Sequence, residues 1–213
     1  MTVVIEKYNT NKPSVVFAFL PRTASNWTRR ALVGLFNKDV HASEYDVSSM
    51  QGGLAHASLR WFSCRLYKVG TIRHPISWYQ SVWAKLLTRT DGKLFEYKWF
   101  VEKFGGNPFS YFVDQQIESG CDLYRNNVNS LFNLANPQHD FVVHYENLVP
   151  DVLRAISNGL CLDVSEEDLR RVAPKPVNEA PPAKKAEAVY ARGQEQKVLD
   201  STKDIVDLFY GKE

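Results

Sequence analysis

Cysteine is scarce in this chain, and what there is does not pair by spacing. Cys64, Cys121 and Cys161 are the whole complement in 213 residues, and no C-x-x-C occurs. That excludes a disulfide-stapled scaffold, a zinc ribbon and a thioredoxin-type redox pair, and it reads as reduced thiols in a cytosolic setting. Long apolar runs are missing too: none reaches the roughly 18 residues a membrane-crossing helix needs. The N-terminal MTVVIEKYNTNK lacks the basic-then-apolar pattern of a secretory leader. The expected location is therefore the cytoplasm, with no membrane partner. Nor is there an excess of either charge. The 26 Lys and Arg against 24 Asp and Glu leave a formal +2, too mild for a nucleic-acid-coating surface but enough for a local pocket for a small anion.

What is present is a strand–turn–helix pattern that occurs twice. Val15-Val16-Phe17-Ala18-Phe19-Leu20 is a continuous apolar run of strand length, which suits a strand buried on both faces. Pro21 ends it, and Trp27, Ala31, Leu32, Leu35 and Phe36 follow at helical spacing. Leu66–Ile72 reads as a second strand, Pro75 marks its turn, and Trp78, Val82, Trp83, Leu86 and Leu87 form the next helical stripe. A third strand is expected at Asp140–Tyr145. Helical segments are expected at Phe95–Phe104, Phe109–Glu118 and Leu123–Leu134, and a last amphipathic helix carries Val198, Ile205, Val206, Leu208 and Phe209. Strands alternating with helices predict an α/β fold around a parallel sheet. The length suits a single domain, 1–213, with a helical insertion at about 93–135 and a Pro-rich loop at 173–184.

The two turns carry the chemistry. Pro21-Arg22-Thr23-Ala24-Ser25-Asn26-Trp27 lies between a buried strand and a helix N-terminus, where backbone N–H groups and the positive dipole end face an anion. Arg22 adds a planar, permanently charged fork; Thr23, Ser25 and Asn26 add short donors. Arg73 sits just past the carboxyl end of a strand, where open α/β sheets bind ligands. Ser81, two helical turns further on, is placed to share a phosphate with it. Taken alone, the first turn is also compatible with a capped βα loop, and the second with an arginine in a surface ion pair and a serine on a solvated face.

Taken together, the turns resemble a family. Pro21–Trp27 is similar to the 5′-phosphosulfate loop of the sulfotransferases that use PAPS (3′-phosphoadenosine 5′-phosphosulfate), usually P-K-S-G-T-T-W. Thr71-Ile72-Arg73-His74-Pro75, with Ser81 eight residues after Arg73, resembles that family's 3′-phosphate motif. Val143-His144-Tyr145-Glu146-Asn147-Leu148 resembles its strand-ending R-Y-E-D-L, and Pro176-Val177-Asn178 with the final helix resembles the C-terminal part of compact bacterial members. The resemblance covers roughly residues 15–150. It implies a three-layer α/β/α fold with a central parallel sheet, like that of P-loop nucleoside-triphosphate hydrolases. It also implies a sulfuryl transfer from PAPS to a small-molecule or glycan acceptor, leaving PAP, with no metal and no nucleic acid involved. Arg22, Thr23, Ala24, Ser25, Asn26, Trp27, Arg73, Ser81 and Tyr145 would hold the donor, with Trp27 stacked on the adenine, Tyr145 near the base, and Arg22 also stabilising the leaving phosphate.

The chain departs from the family pattern in several places. Arg22 stands for the usual Lys, as in tyrosylprotein sulfotransferases. Ala24 stands for the loop glycine, so the backbone there is expected to avoid positive φ. His74 replaces Asp or Asn. The C-terminal R-K-G motif is not evident, and Arg170, Arg171, Lys175, Lys184, Lys185 and Arg192 are open as substitutes. The resemblance calls for a general base, and two positions remain open: His56, 17 residues before Arg73, and Glu44, 22 after Arg22. The rival readings are a P-loop nucleotide kinase, disfavoured because the turn lacks Gly-Lys-Ser/Thr, and a PAP-binding protein of the same fold without catalysis.

Overall fold

The computed structural model describes residues 2–7, 14–36, 45–50, 58–62, 65–88, 107–118, 122–174 and 187–211. The apolar run becomes β2 (Ser14–Phe19), and Val15 through Leu20 are fully buried. β-Branched and aromatic side chains on both faces of the pleat, with no charge among them, suit such a central strand. Beside it lie β1 (Thr2–Lys7) and β4 (Leu66–Ile72); β1 also pairs with β3 (Tyr45–Met50) and β4 with β5 (Phe141–His144), giving the order β3-β1-β2-β4-β5.

The fold is α/β, but the sheet is mixed rather than parallel. β2–β4 and β4–β5 pair in parallel, whereas β1 runs antiparallel to both β2 and β3. The connection explains this: only residues 8–13 separate β1 from β2, too few for the crossover a parallel pair requires. Neither β1 nor β3 was expected. Outside Val3-Val4-Ile5 their residues are mostly polar, and pairing with a buried neighbour, rather than pattern, holds them.

The described helices are α1 (Ser25–Gly34), α2 (Pro75–Thr88), α3 (Pro108–Glu118), α4 (Leu123–Phe132), α5 (Leu148–Leu160), α6 (Glu166–Val172), α7 (Gln194–Ser201) and α8 (Lys203–Phe209). The expected helices match α1, α2, α3 and α4, while α5 and α6 were missed. The single C-terminal helix expected is two, broken at Thr202, whose buried hydroxyl bonds back to the Val198 carbonyl at 2.7 Å. Its expected apolar face holds for Val198, Ile205 and Phe209, but Leu208 is exposed. The segment Phe95–Phe104, most of the Pro-rich loop and Pro176-Val177-Asn178 lie outside the described residues.

The chain divides into two compact units, residues 1–73 with 127–178, and 74–126 with 179–213. In the first, Val3, Ile5, Val15, Phe17, Phe19, Val69 and Val143 form one sheet face, which packs with Trp27, Ala31 and Leu32 of α1 and Leu35 just after it, Val152, Ala155 and Ile156 of α5, and Leu169 of α6. On the opposite face Phe132 and Leu59 press against Gly70, where a Cβ would sit 2.1 Å from the Phe132 ring. In the second unit Trp78 of α2 meets Tyr124 of α4 edge-on, Tyr79 lies tilted to the same ring, and the Tyr79 hydroxyl donates to Asp122 at 2.7 Å. Burial and that carboxylate hold the Tyr79 phenol far above its ordinary pKa.

Candidate anion-binding site

β2, β4 and β5 run in the same direction, so their carboxyl ends share one edge of the sheet in the first unit. The next residues along the chain bring Arg22, Arg73 and Tyr145 to that edge. Arg73 is 8% exposed; its Nη1 donates to the Arg22 carbonyl at 3.2 Å, and its Cζ lies 4.0 Å from the centre of the Tyr145 ring. The two turns therefore converge, and one face of the Tyr145 ring lies against the Arg73 guanidinium.

The arginines are near enough to repel. Burial, and then the positive charge of Arg73, lower the Arg22 pKa, while Tyr145 opposes the shift. The like charges gather at a helix N-terminus that no side chain caps, with no acidic residue in its first turn. Ser25 and Asn26 occupy that turn and are half-buried. The first intrahelical bond runs from Thr28 N to the Ala24 carbonyl at 3.0 Å, which leaves the N–H groups before it for an outside partner. Two arginines beside a helix N-terminus without a side-chain cap are the groups from which a receptor for a multiply charged oxyanion can be built.

The loop that builds this corner departs from expectation at Ala24. Its φ of 56° is in the left-handed region, as is Arg22 at 71°, so the alanine adopts the conformation of the glycine it stands for. The cost is of order 1–2 kcal/mol per residue, and the surroundings hold the strain in place. Between the two, Thr23 is fully buried. Its hydroxyl donates to the Leu20 carbonyl at 2.6 Å and lies 2.6 Å from the Thr71 hydroxyl, so it is a tie within the protein and not a ligand donor.

Trp27 is also corrected. It is 2% exposed, lies in the core of the first unit, and donates Nε1–H to the Ala173 carbonyl at 3.0 Å. Its ring is packed on α1's inner face and offers no surface for an adenine. Ser81 is buried on α2 in the second unit, where the half-buried His74, just before that helix, meets Tyr210 edge-on at 5.4 Å. His56 and Glu44, the two base candidates, lie outside the described residues, as do Lys175, Lys184 and Lys185. Arg170 and Arg171 pair with Glu166 and Asp168 on the exposed side of α6. Arg192 lines a groove of about 600 Å³ in the second unit with Gln80, Tyr190 and Gln196.

Two groups of this edge escaped the sequence reading. Thr71 is read from the sequence as part of a strand and as the first residue of the Arg73 motif, with no role of its own. Asp151, 3% exposed in the first turn of α5, accepts from the His144 backbone N–H at 2.9 Å and from Asn147 Nδ2 at 2.8 Å, with His144 Nδ1 3.0 Å away. The signal for Asp151 was legible as an acid three residues into an unrecognised helix; the signal for Thr71 was not, since its partner is 48 residues away.

Comparison of the chain with family models, with curated proteins and with solved structures found no match.

Proposed function

We propose that the protein is a sulfotransferase that moves a sulfuryl group from PAPS to the hydroxyl or amine of a small-molecule or glycan acceptor, working in the cytoplasm. The observation that carries the reading is the convergence of Arg22 and Arg73 at the uncapped N-terminus of α1. The sequence resemblance assigns those two turns to opposite ends of one bisphosphorylated nucleoside, and a site of that composition fits a phosphate-rich ligand. Parallel β2, β4 and β5, with α1 following β2, support the narrower reading of the fold as three-layered and P-loop-like.

The donor brings an activated sulfuryl group whose departure leaves charge on a phosphate. Arg22, half-buried and already strained by the neighbouring cation, gains most from an anion, and its fork and the N–H groups of the first turn of α1 stabilise charge where it develops. Arg73, held by the Arg22 carbonyl and the Tyr145 ring, is preorganised to grip a second anionic group without having to reorder. Ser25 and Asn26 supply short donors beside it. His56 or Glu44 would take the acceptor proton.

The test has two stages. PAP is expected to raise the melting temperature, since a ligand that binds only the native state stabilises it by mass action, while ATP with magnesium is expected to do so less. Labelled PAPS is then offered with sugar, phenol, lipid and peptide acceptors. Stabilisation by ATP and magnesium but not by PAP would replace the reading with a kinase. PAP binding with no transfer to any acceptor, and no loss of anything on His56→Ala or Glu44→Gln, would leave a binding protein.

A further inference from the structure

Beneath the arginine pair lies a closed ring of hydrogen bonds whose direction can be worked out. Leu20 N–H donates to Thr71 Oγ1 at 3.1 Å, Thr23 Oγ1 donates to the Leu20 carbonyl at 2.6 Å, and the two hydroxyls are 2.6 Å apart. A hydroxyl has one proton. Thr23 spends its proton on the carbonyl, so Thr71 must donate to Thr23, while Thr71 accepts from Leu20 N–H. Every donor has one acceptor, and none is left over for a ligand. Leu20 and Thr23 are 0% exposed and Thr71 is 1% exposed, so no water is at hand to replace a lost member.

We propose that Thr71, acting through Thr23, is the positioning residue of the anion site. The inference rests on the reading of Arg22 and Arg73 as that site. β4 and the residue after it reach the loop after β2 at two places, two residues apart along the chain: Thr71 holds Thr23, and Arg73 holds the Arg22 carbonyl. The loop residues on either side of Thr23, Arg22 and Ala24, both have left-handed backbones that alanine and arginine adopt only under constraint. The hydroxyl ring is that constraint. It fixes where the Arg22 carbonyl points, hence where Arg73 rests, and it keeps the N-terminus of α1 open. Without it the loop relaxes toward negative φ, and the two guanidinium groups separate under their own repulsion. Thr71 touches no ligand in this scheme.

The experiment is PAP affinity, measured by calorimetry on the full chain, for wild type, Thr71→Val, Thr71→Ser and Thr23→Val, with far-UV circular dichroism and melting temperature recorded for each. Thr71→Val keeps the shape and removes the hydroxyl. Loss of a buried hydrogen bond that holds the site is expected to weaken PAP binding by about tenfold or more, with Thr71→Ser restoring it. Thr23→Val breaks the same ring but leaves Leu20 N–H its acceptor, so it decides the matter if Thr71→Val does not fold. A variant carrying both Thr71→Val and Thr23→Val, measured alongside, is expected to bind no worse than the weaker-binding single variant, because both changes break one ring. Folded valine variants with wild-type PAP affinity, whatever their melting temperatures, would overturn the proposal while leaving the anion site standing. A wild-type protein that does not bind PAP would instead overturn the reading on which the proposal rests.

Discussion

Replacing Arg73 by lysine keeps the charge and discards the planar fork, which separates the two things this side chain does. Its bond to the Arg22 carbonyl and its stack on Tyr145 exist before any ligand arrives, so their loss appears in stability and largely cancels from affinity. A charge-assisted hydrogen bond to a carbonyl and a partly desolvated cation–π contact together are worth about 2–5 kcal/mol, less what an ammonium recovers. The contact between fork and anion belongs to affinity alone. Trading a bidentate grip for a point charge is expected to cost about 1.5–3 kcal/mol, roughly a ten- to 150-fold rise in the PAP dissociation constant. Urea titration reads the first quantity and calorimetry at fixed salt the second. Tyr145→Phe is the control, since the ring face and not the hydroxyl lies against Arg73, and it is expected to leave both quantities near wild type. If Arg73→Lys binds PAP as tightly as wild type, recognition by the fork is refuted and only a diffuse positive charge is left.

Further outcomes follow from the packing. Trp27→Phe is expected to lower stability through the lost bond to the Ala173 carbonyl, while PAP affinity stays unchanged; a large loss of affinity in a folded variant would mean that the indole does meet the base. Gly70→Ala places a methyl 2.1 and 2.5 Å from two Phe132 ring carbons and is expected to cost about 1–3 kcal/mol or more by urea midpoint, with Phe132→Leu in the same background recovering part of it. Burial lowers the His139 pKa although Asp140 partly opposes it. The folded state therefore resists protonation that the unfolded chain accepts, and stability present above the unfolded pKa, about 6.5, is lost as pH falls through the folded value. His139→Leu is expected to flatten that part of the curve of melting temperature against pH, and an unchanged slope would show that another group sets it.

Much of the edge that carries the site was legible from order along the chain. A buried apolar strand ending at Pro21, a second ending at Arg73 and a third ending near Tyr145 are local patterns, because burial on both faces demands uninterrupted apolar residues and a turn demands proline or polar groups. What was not legible came from partners far apart in sequence. Trp27 follows the turn in the position of a stacking ring, yet the core and the Ala173 carbonyl, 146 residues on, claim it. Ala24 has a side chain that disfavours positive φ, yet the loop's fixed ends impose it.

Local pattern alone sufficed for the α/β class, the central strand β2 and the arginines that follow β2 and β4, since each is written in composition and period over short stretches of chain. The antiparallel return of β1, the inward turn of the Thr23 hydroxyl and the resting of Arg73 against both the Arg22 carbonyl and the Tyr145 ring came instead from the folded chain. Hydrogen bonds between Leu20, Thr23 and Thr71 and the burial of like charges depend on which strands become neighbours, and strand adjacency is a property of the folded sheet rather than of any stretch of chain.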